Sequence, residues 1–157
     1  MKILGLDPGT ARAGWAIVEK EKGVARLLSY GCMTTDEKES LDFRLLDLFH
    51  QLQIIISKNN PTHFAVEDLF YTTNAKTVIA VSQARGVMLL AAAQKSIPVF
   101  SYSPLAIKLA VAGYGKAGKV QVQKMVVKTL KLPLVPQPDD AADAVAVALT
   151  HCFSKQW

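Results

Sequence analysis

Met1-Lys-Ile-Leu-Gly-Leu-Asp-Pro-Gly-Thr10 opens the chain, and the reading of this stretch decides the fold. Ile3, Leu4 and Leu6 form a short apolar run without helical spacing, closed by the turn pair Pro8-Gly9, which predicts a buried strand. The run ends on Asp7. A carboxylate at the tip of a buried strand is costly to keep charged unless a cation or a donor meets it. Asp7 therefore either caps the turn through an Asx hydrogen bond or forms part of a charged site. The choice turns on whether other carboxylates converge on the same point.

Outward from this strand, the pattern alternates between strands and helices. Gly14–Val18 and Ala25–Thr34 predict two more strands, joined through Lys22-Gly23 into an antiparallel meander. Ser40 then precedes Leu41, Leu45, Leu48, Leu52 and Ile55, whose 4-3-4-3 spacing marks an amphipathic helix that stops at Asn59-Asn60-Pro61. His63-Phe-Ala-Val-Glu67 is a fourth apolar strand, and it too finishes on a carboxylate. A loop over Asp68–Asn74 leads to an aliphatic helix over Ala75–Gln94, which, with Gly86 allowing close approach, is either a dimer surface or buried against the sheet, and Ile97–Ser101 is a fifth strand. The glycine-rich stretch 113–118 is an expected mobile linker. After it, Gly118–Leu130 predicts a basic helix, with Val122, Met125, Val126 and Thr129 at core spacing and Lys124, Lys128 and Lys131 on another face. Asp139 or Asp140 opens a last helix to Cys152, apolar almost all round and so expected to be buried. The order βββαβαβαα implies an α/β fold, one mixed five-stranded sheet flanked by helices.

Bulk properties agree with a globular α/β domain spanning 1–157. Half of the 157 residues are apolar, enough for a substantial core. No apolar run approaches the roughly 18 residues of a membrane span, and the N-terminus lacks a signal-peptide pattern, so the expected location is cytoplasmic. Cys32 and Cys152 match no metal-ligand spacing and are expected to be buried thiols. The net charge of +5 is unevenly spread. From Phe70 to Pro138 there is no Asp or Glu, while Lys76, Arg85, Lys95, Lys108, Lys116, Lys119, Lys124, Lys128 and Lys131 all fall there. A one-signed stretch inside a folded domain suits a polyanion such as nucleic acid, or else a solvated face tuned for solubility.

Four carboxylates are candidates for one site. Asp7 and Glu67 each end an apolar strand, and neighbouring strands would bring both to one edge of the sheet. Asp140 and Asp143, three apart at the start of the last helix, project from one face, where the helix N-terminus favours their ionised form. Four such charges repel one another unless cations sit among them, and all-oxygen ligands suit Mg²⁺ or Mn²⁺. Paired ions of this kind suit attack of water on a phosphodiester. Each carboxylate alone is an ordinary cap. His63 and His151 are expected to be structural.

The same residues resemble a family. Leu6-Asp-Pro-Gly-Thr10 with Gly14-Trp15, Ala65-Val-Glu67 with Phe70, Asn74-Ala75, Gln83-Ala-Arg-Gly86, Gly113-Tyr-Gly115, and Asp140-Ala-Ala-Asp143-Ala144 continuing to Thr150-His151 are similar, in this order, to the RuvC family of Holliday-junction resolvases within the ribonuclease H-like superfamily. The resemblance implies a homodimer that resolves four-way DNA junctions by two symmetric nicks, with the RuvA–RuvB branch-migration complex as a partner. It implies catalytic, metal-binding roles for Asp7, Glu67, Asp140 and Asp143, and about two Mg²⁺ per site, replaceable by Mn²⁺. Phe70 matches an aromatic wedge near the junction centre, and Lys108 and Lys119 match basic residues near the site. The doublet Asp139-Asp140 leaves the third carboxylate open by one position, which only the match to Asp-Ala-Ala-Asp resolves toward Asp140. Trp157 follows the last helix sooner than is usual, so a basic tail is expected to be missing or trimmed. Two other readings remain. A junction-binding protein with an inactive acidic cluster would keep the basic stretch, and Asp7-Pro-Gly-Thr10 also suits a fragment of an actin-like ATPase.

Overall fold

The computed structural model describes residues 1–68 and 75–154. Its five strands are β1 (Lys2–Asp7), β2 (Arg12–Glu21), β3 (Val24–Thr34), β4 (His63–Glu67) and β5 (Val99–Tyr102). Its helices are α1 (Leu41–Asn59), α2 (Ala75–Gln94), α3 (Pro104–Ala112), α4 (Lys119–Leu130) and α5 (Asp139–Phe153). The strands lie in the order β3-β2-β1-β4-β5. β1, β2 and β3 form the expected antiparallel meander, while β4 pairs parallel to β1 and β5 parallel to β4. The long helical crossover before β4 allows parallel pairing, which no tight turn could.

Strands β1 and β4 at the centre of the sheet are buried on both faces, which is why they carry near-continuous apolar runs. Alternation decides which residue faces which helix. Leu4, Leu6, Phe64 and Val66 pack with Leu48, Leu52, Ile55 and Ile56 of α1 and with Ala84, Met88, Ala91 and Ala92 of α2. Ile3 and Ala65 point the other way, into a core made by α3, α4 and the almost wholly buried α5. The result is a helix–sheet–helix sandwich with two cores. No helix among the described residues is long and apolar enough to cross a membrane.

Several details differ from the sequence reading. Pro104–Ala112 forms α3, which apolar periodicity conceals because the segment is apolar nearly all round. Its termini carry the missing signals. Ser103 Oγ accepts from the Ala106 N–H with Pro104 at the first turn, and Gly113 closes the helix with φ 72°. The stretch 113–118 is tied to this cap and to the core through Ala117, which is 2% exposed. β5 is shifted to Val99–Tyr102. Gly86 does not serve close approach within the chain, since a Cβ there would meet nothing within 4 Å. The aliphatic helix α2 is divided, with Ala84 and Met88 against the sheet and Ile79 and Leu90 exposed. Both cysteines are free thiols, Cys152 buried as expected and Cys32 only partly so, because it lies on the edge strand β3.

Candidate active site

The parallel register of β1 and β4, with Leu6 opposite Val66, brings Asp7 and Glu67 to the same end of adjacent strands. Asp7 shares the face of Ile3 and Gly5, and Glu67 the face of Ala65, so both carboxylates look toward the α5 side. Gly14 of β2 pairs with Asp7, and Tyr102 of β5 pairs with Glu67, completing a row across the sheet. Two glycines in this row's neighbourhood let α5 come down onto the sheet. A Cβ at Gly5 would stand 2.3 Å from the Ala144 carbonyl oxygen, and one at Gly14 only 1.8 Å from that of Asp140. Without side chains there, the first turn of α5 rests directly beside Asp7.

The electrostatics record this convergence. Burial first, and then the negative charges of Glu67, Asp143 and Asp140, together push the Asp7 carboxyl up to about 8. In its protonated form Asp7 donates a hydrogen bond to Glu67. Glu67 is itself raised, first by burial and then by Asp143, while Lys108 pulls it back. Asp139 is absent from the set that acts on Asp7. Its carboxylate instead accepts from Gln123 Nε2 at 3.3 Å and pairs with Lys119 at 3.3 Å. The helix thus aims Asp140, and not its neighbour, at the cluster.

Cations stand around the carboxylates. Arg12, at the start of β2, pairs with Asp140. Lys119, at the first position of α4, pairs with Asp143 at 3.0 Å. Arg85 of α2 braces the end of β4 by bonding Ser101 Oγ at 2.7 Å, pairing with Asp68 at 3.0 Å and reaching the Glu67 carbonyl at 3.4 Å. Beside Glu67 and Asp143 opens a cleft of about 290 Å³, rimmed by Lys108 and Lys119 and floored by Ile107, Val122 and Val147. Among the described residues, no three His, Cys, Asp or Glu side chains stand in a ligating arrangement as placed, since Asp140 and Asp143 are turned onto Arg12 and Lys119. In donor chemistry the set still fits a hard divalent cation: it offers carboxylate oxygen only, and burial and like charge raise Asp7 and Glu67 despite the cations paired with Asp140 and Asp143.

A family model described as crossover junction endodeoxyribonuclease RuvC matches residues 3–151. The chain belongs to the RuvC family. Curated RuvC relatives include the protein of Roseiflexus sp. (strain RS-1), 50% identical over 153 residues that cover 98% of this chain and 91% of that protein. Another, from Chloroflexus aggregans, is 51% identical over 154 residues, covering 98% and 94%. Among solved structures, Thermus thermophilus RuvC in complex with a Holliday junction substrate superposes with a TM-score of 0.92 at 34% identity, covering 98% of this chain and 93% of that one. The yeast mitochondrial Holliday junction resolvase, at 19% identity and a TM-score of 0.68 over 96% and 77% of the two chains, shares the fold. The RuvC fold is the ribonuclease H-like mixed sheet that the strand order displays.

Of the residues singled out in the sequence, Asp7, Glu67, Asp140 and Asp143 meet at one end of the RuvC sheet, and Lys108 and Lys119 rim the adjoining cleft. Phe70 lies outside the described residues. Sequence reasoning passed over Arg12, and it counted Arg85 only as one cation of the basic stretch and a member of the Gln83–Gly86 block. Nor did it assign a purpose to Gly5 and Gly14, which only the packing of α5 reveals. His63 and His151 sit apart from the carboxylates, stacked with Phe100 and, for His151, bonded to the Tyr102 hydroxyl at 2.7 Å.

Proposed function

We propose that this chain, as one nuclease domain over 1–157, is a cytoplasmic crossover junction endodeoxyribonuclease that works as a homodimer and resolves four-way DNA junctions by paired, symmetric nicks. The observation that carries the reading is the convergence of Asp7, Glu67, Asp140 and Asp143 at one end of the sheet, where burial first and then their mutual repulsion raise the Asp7 carboxyl. Carboxylates drawn from two strands and a helix and held in mutual repulsion are a site that awaits positive charge. The match to T. thermophilus RuvC, solved with a Holliday junction substrate, supports the choice of DNA substrate.

Asp7, Glu67, Asp140 and Asp143 would hold Mg²⁺ or Mn²⁺, two ions per site. Bound there, the ions supply Lewis acidity to the attacking water and to the departing ester oxygen. The chain's own residues do the rest. Asp7 and Glu67 give up their shared proton when the site loads, which leaves both as ligands. Lys119, half exposed beside Asp143, reaches phosphoryl oxygens as charge develops on them. Lys108 at the rim of the cleft positions a neighbouring phosphate. Phe70 stacks on an unpaired base at the junction centre, a contact worth about 1–3 kcal/mol. Exposed Ile79 and Leu90 on α2 supply apolar surface for the second copy, whose site makes the symmetric nick. The RuvA–RuvB branch-migration complex is the further partner that family membership suggests.

The engagement of Asp140 and Asp143 by Arg12 and Lys119 favours one competing reading, a junction binder whose acidic cluster is inert. A synthetic four-way junction mixed with the chain in Mg²⁺ and in chelator separates the two. Paired nicks that require Mg²⁺ support the resolvase, and binding without nicks in either condition supports the binder.

A further inference from the structure

Arg12 is the one cation in direct contact with Asp140 among the described ion pairs, and it reaches that carboxylate from β2, opposite in origin to Lys119 of α4. Its backbone is anchored on both sides. Arg12 pairs with Thr34 across the β2–β3 ladder, and its carbonyl lies where a Cβ at Gly9 would stand only 2.0 Å away. The side chain by contrast is 53% exposed. The base of this residue is therefore fixed and its head is reachable from solvent. A guanidinium stays charged at every relevant pH, and its fork suits carboxylate and phosphate equally well.

We propose that Arg12 is a positioning residue that holds Asp140 as a counter-cation while the site is empty of metal, and transfers to a DNA phosphate when a divalent cation takes Asp140. The inference rests on the reading of the carboxylates as a divalent-cation site. Arg12 and a metal ion compete for Asp140, because the guanidinium already holds one of its oxygens and repels a second cation beside it. Once the ion occupies Asp140, like charge drives the guanidinium outward. The nearest large source of negative charge is then the backbone of the strand whose scissile phosphate lies over the carboxylates. Metal loading and DNA clamping are thereby linked through one side chain, because each removes an obstacle to the other.

Two measurements on Arg12→Gln test this, neither of which reads cleavage. The first is calorimetric titration of Mn²⁺ without DNA. The variant no longer has to release an ion pair, so its Kd for Mn²⁺ falls about two- to five-fold below that of the wild-type chain. The second is junction binding in Ca²⁺ between about 50 and 200 mM salt. The variant binds more weakly, and its log–log salt slope is smaller by about 1, the signature of one lost phosphate contact. Arg12→Lys, which keeps the charge, restores the slope. Unchanged or weaker Mn²⁺ binding by Arg12→Gln, or a salt slope equal to wild type, overturns the proposal. If the wild-type chain takes up no Mn²⁺ that Asp7→Asn abolishes, the metal site itself is refuted and the role of Arg12 with it. Normal uptake by the wild-type chain with an indifferent Arg12→Gln refutes only Arg12.

Discussion

Gly14 of β2 lies so close to Asp140 of α5 that a Cβ would stand 1.8 Å from the Asp140 carbonyl oxygen. The neighbouring atoms are backbone, which cannot rotate aside. Gly14→Ala therefore forces the first turn of α5 off the sheet. The expected cost is about 1–3 kcal/mol, the range for overpacked interiors, read as a lower urea midpoint. Divalent-ion affinity should fall at least ten-fold in the same variant, because Asp140 and Asp143 retreat from Asp7. A variant of wild-type stability and metal affinity would show that α5 is not seated by this glycine.

Asp7→Asn should abolish cleavage yet leave junction binding nearly intact, since binding draws on the lysines of the acid-free stretch. It also has a signature in stability. Folded, metal-free Asp7 keeps its proton up to about pH 8, whereas an ordinary aspartate loses it near 3.8. The folded chain thus holds a proton that the unfolded chain has released. This contribution is fully present below about pH 4 and is lost as pH rises through about 8. Chemical denaturation in chelator should show wild-type stability declining over that window, with Asp7→Asn flatter and more stable at pH 8.5 by on the order of 3 kcal/mol. A steeper decline in the variant would contradict the burial of the charge.

Arg85 touches no carboxylate of the cluster through its side chain, but it braces the strand end that carries Glu67. Arg85→Ala should reduce kcat by about 10–100-fold, the range for loss of a supporting contact, while junction Kd stays within about two-fold. Arg85→Lys, lacking the fork that spans Ser101, Asp68 and the Glu67 carbonyl, should recover only part of the rate. A loss confined to Kd would instead make Arg85 a DNA contact.

His151 supplies an opposite trend with pH. Burial first, and then the charges of His63 and Lys20, hold its imidazole neutral and lower its pKa to about 4. Stability from the neutral ring is present above about 6.5, the unfolded value, and is lost as pH falls toward 4. In an Asp7→Asn background, where the carboxylate's contrary slope is absent, stability should fall between pH 7 and 4.5 by on the order of 2 kcal/mol. Adding His151→Gln should flatten that acid limb and cost about 1 kcal/mol at pH 7 through the lost bond to Tyr102. An acid limb that survives this change would place its origin elsewhere.

Local pattern determined most of the elements here. The two strands ending on Asp7 and Glu67, the leucine spacing of α1, the bounds of α2 and the acidic start of α5 are all properties of short windows, because strand and helix periodicities act over a few residues. The four carboxylates were legible as candidates for the same reason: Asp7 and Glu67 each end an apolar strand, and Asp140 and Asp143 open an apolar helix. What the sequence could not say is where those ends meet. That depended on the parallel register of β1 and β4, separated by a whole helix, and on Gly5 and Gly14 leaving room for α5. Helix α3 escaped notice because an apolar helix carries no periodic stripe, and only its caps mark it. The pairing of Arg12 with Asp140 joins residues 128 positions apart, and the selection of Asp140 over Asp139 follows from the rotation of α5 against the sheet. Such contacts are set by packing over long sequence separations, so only the tertiary structure decides them.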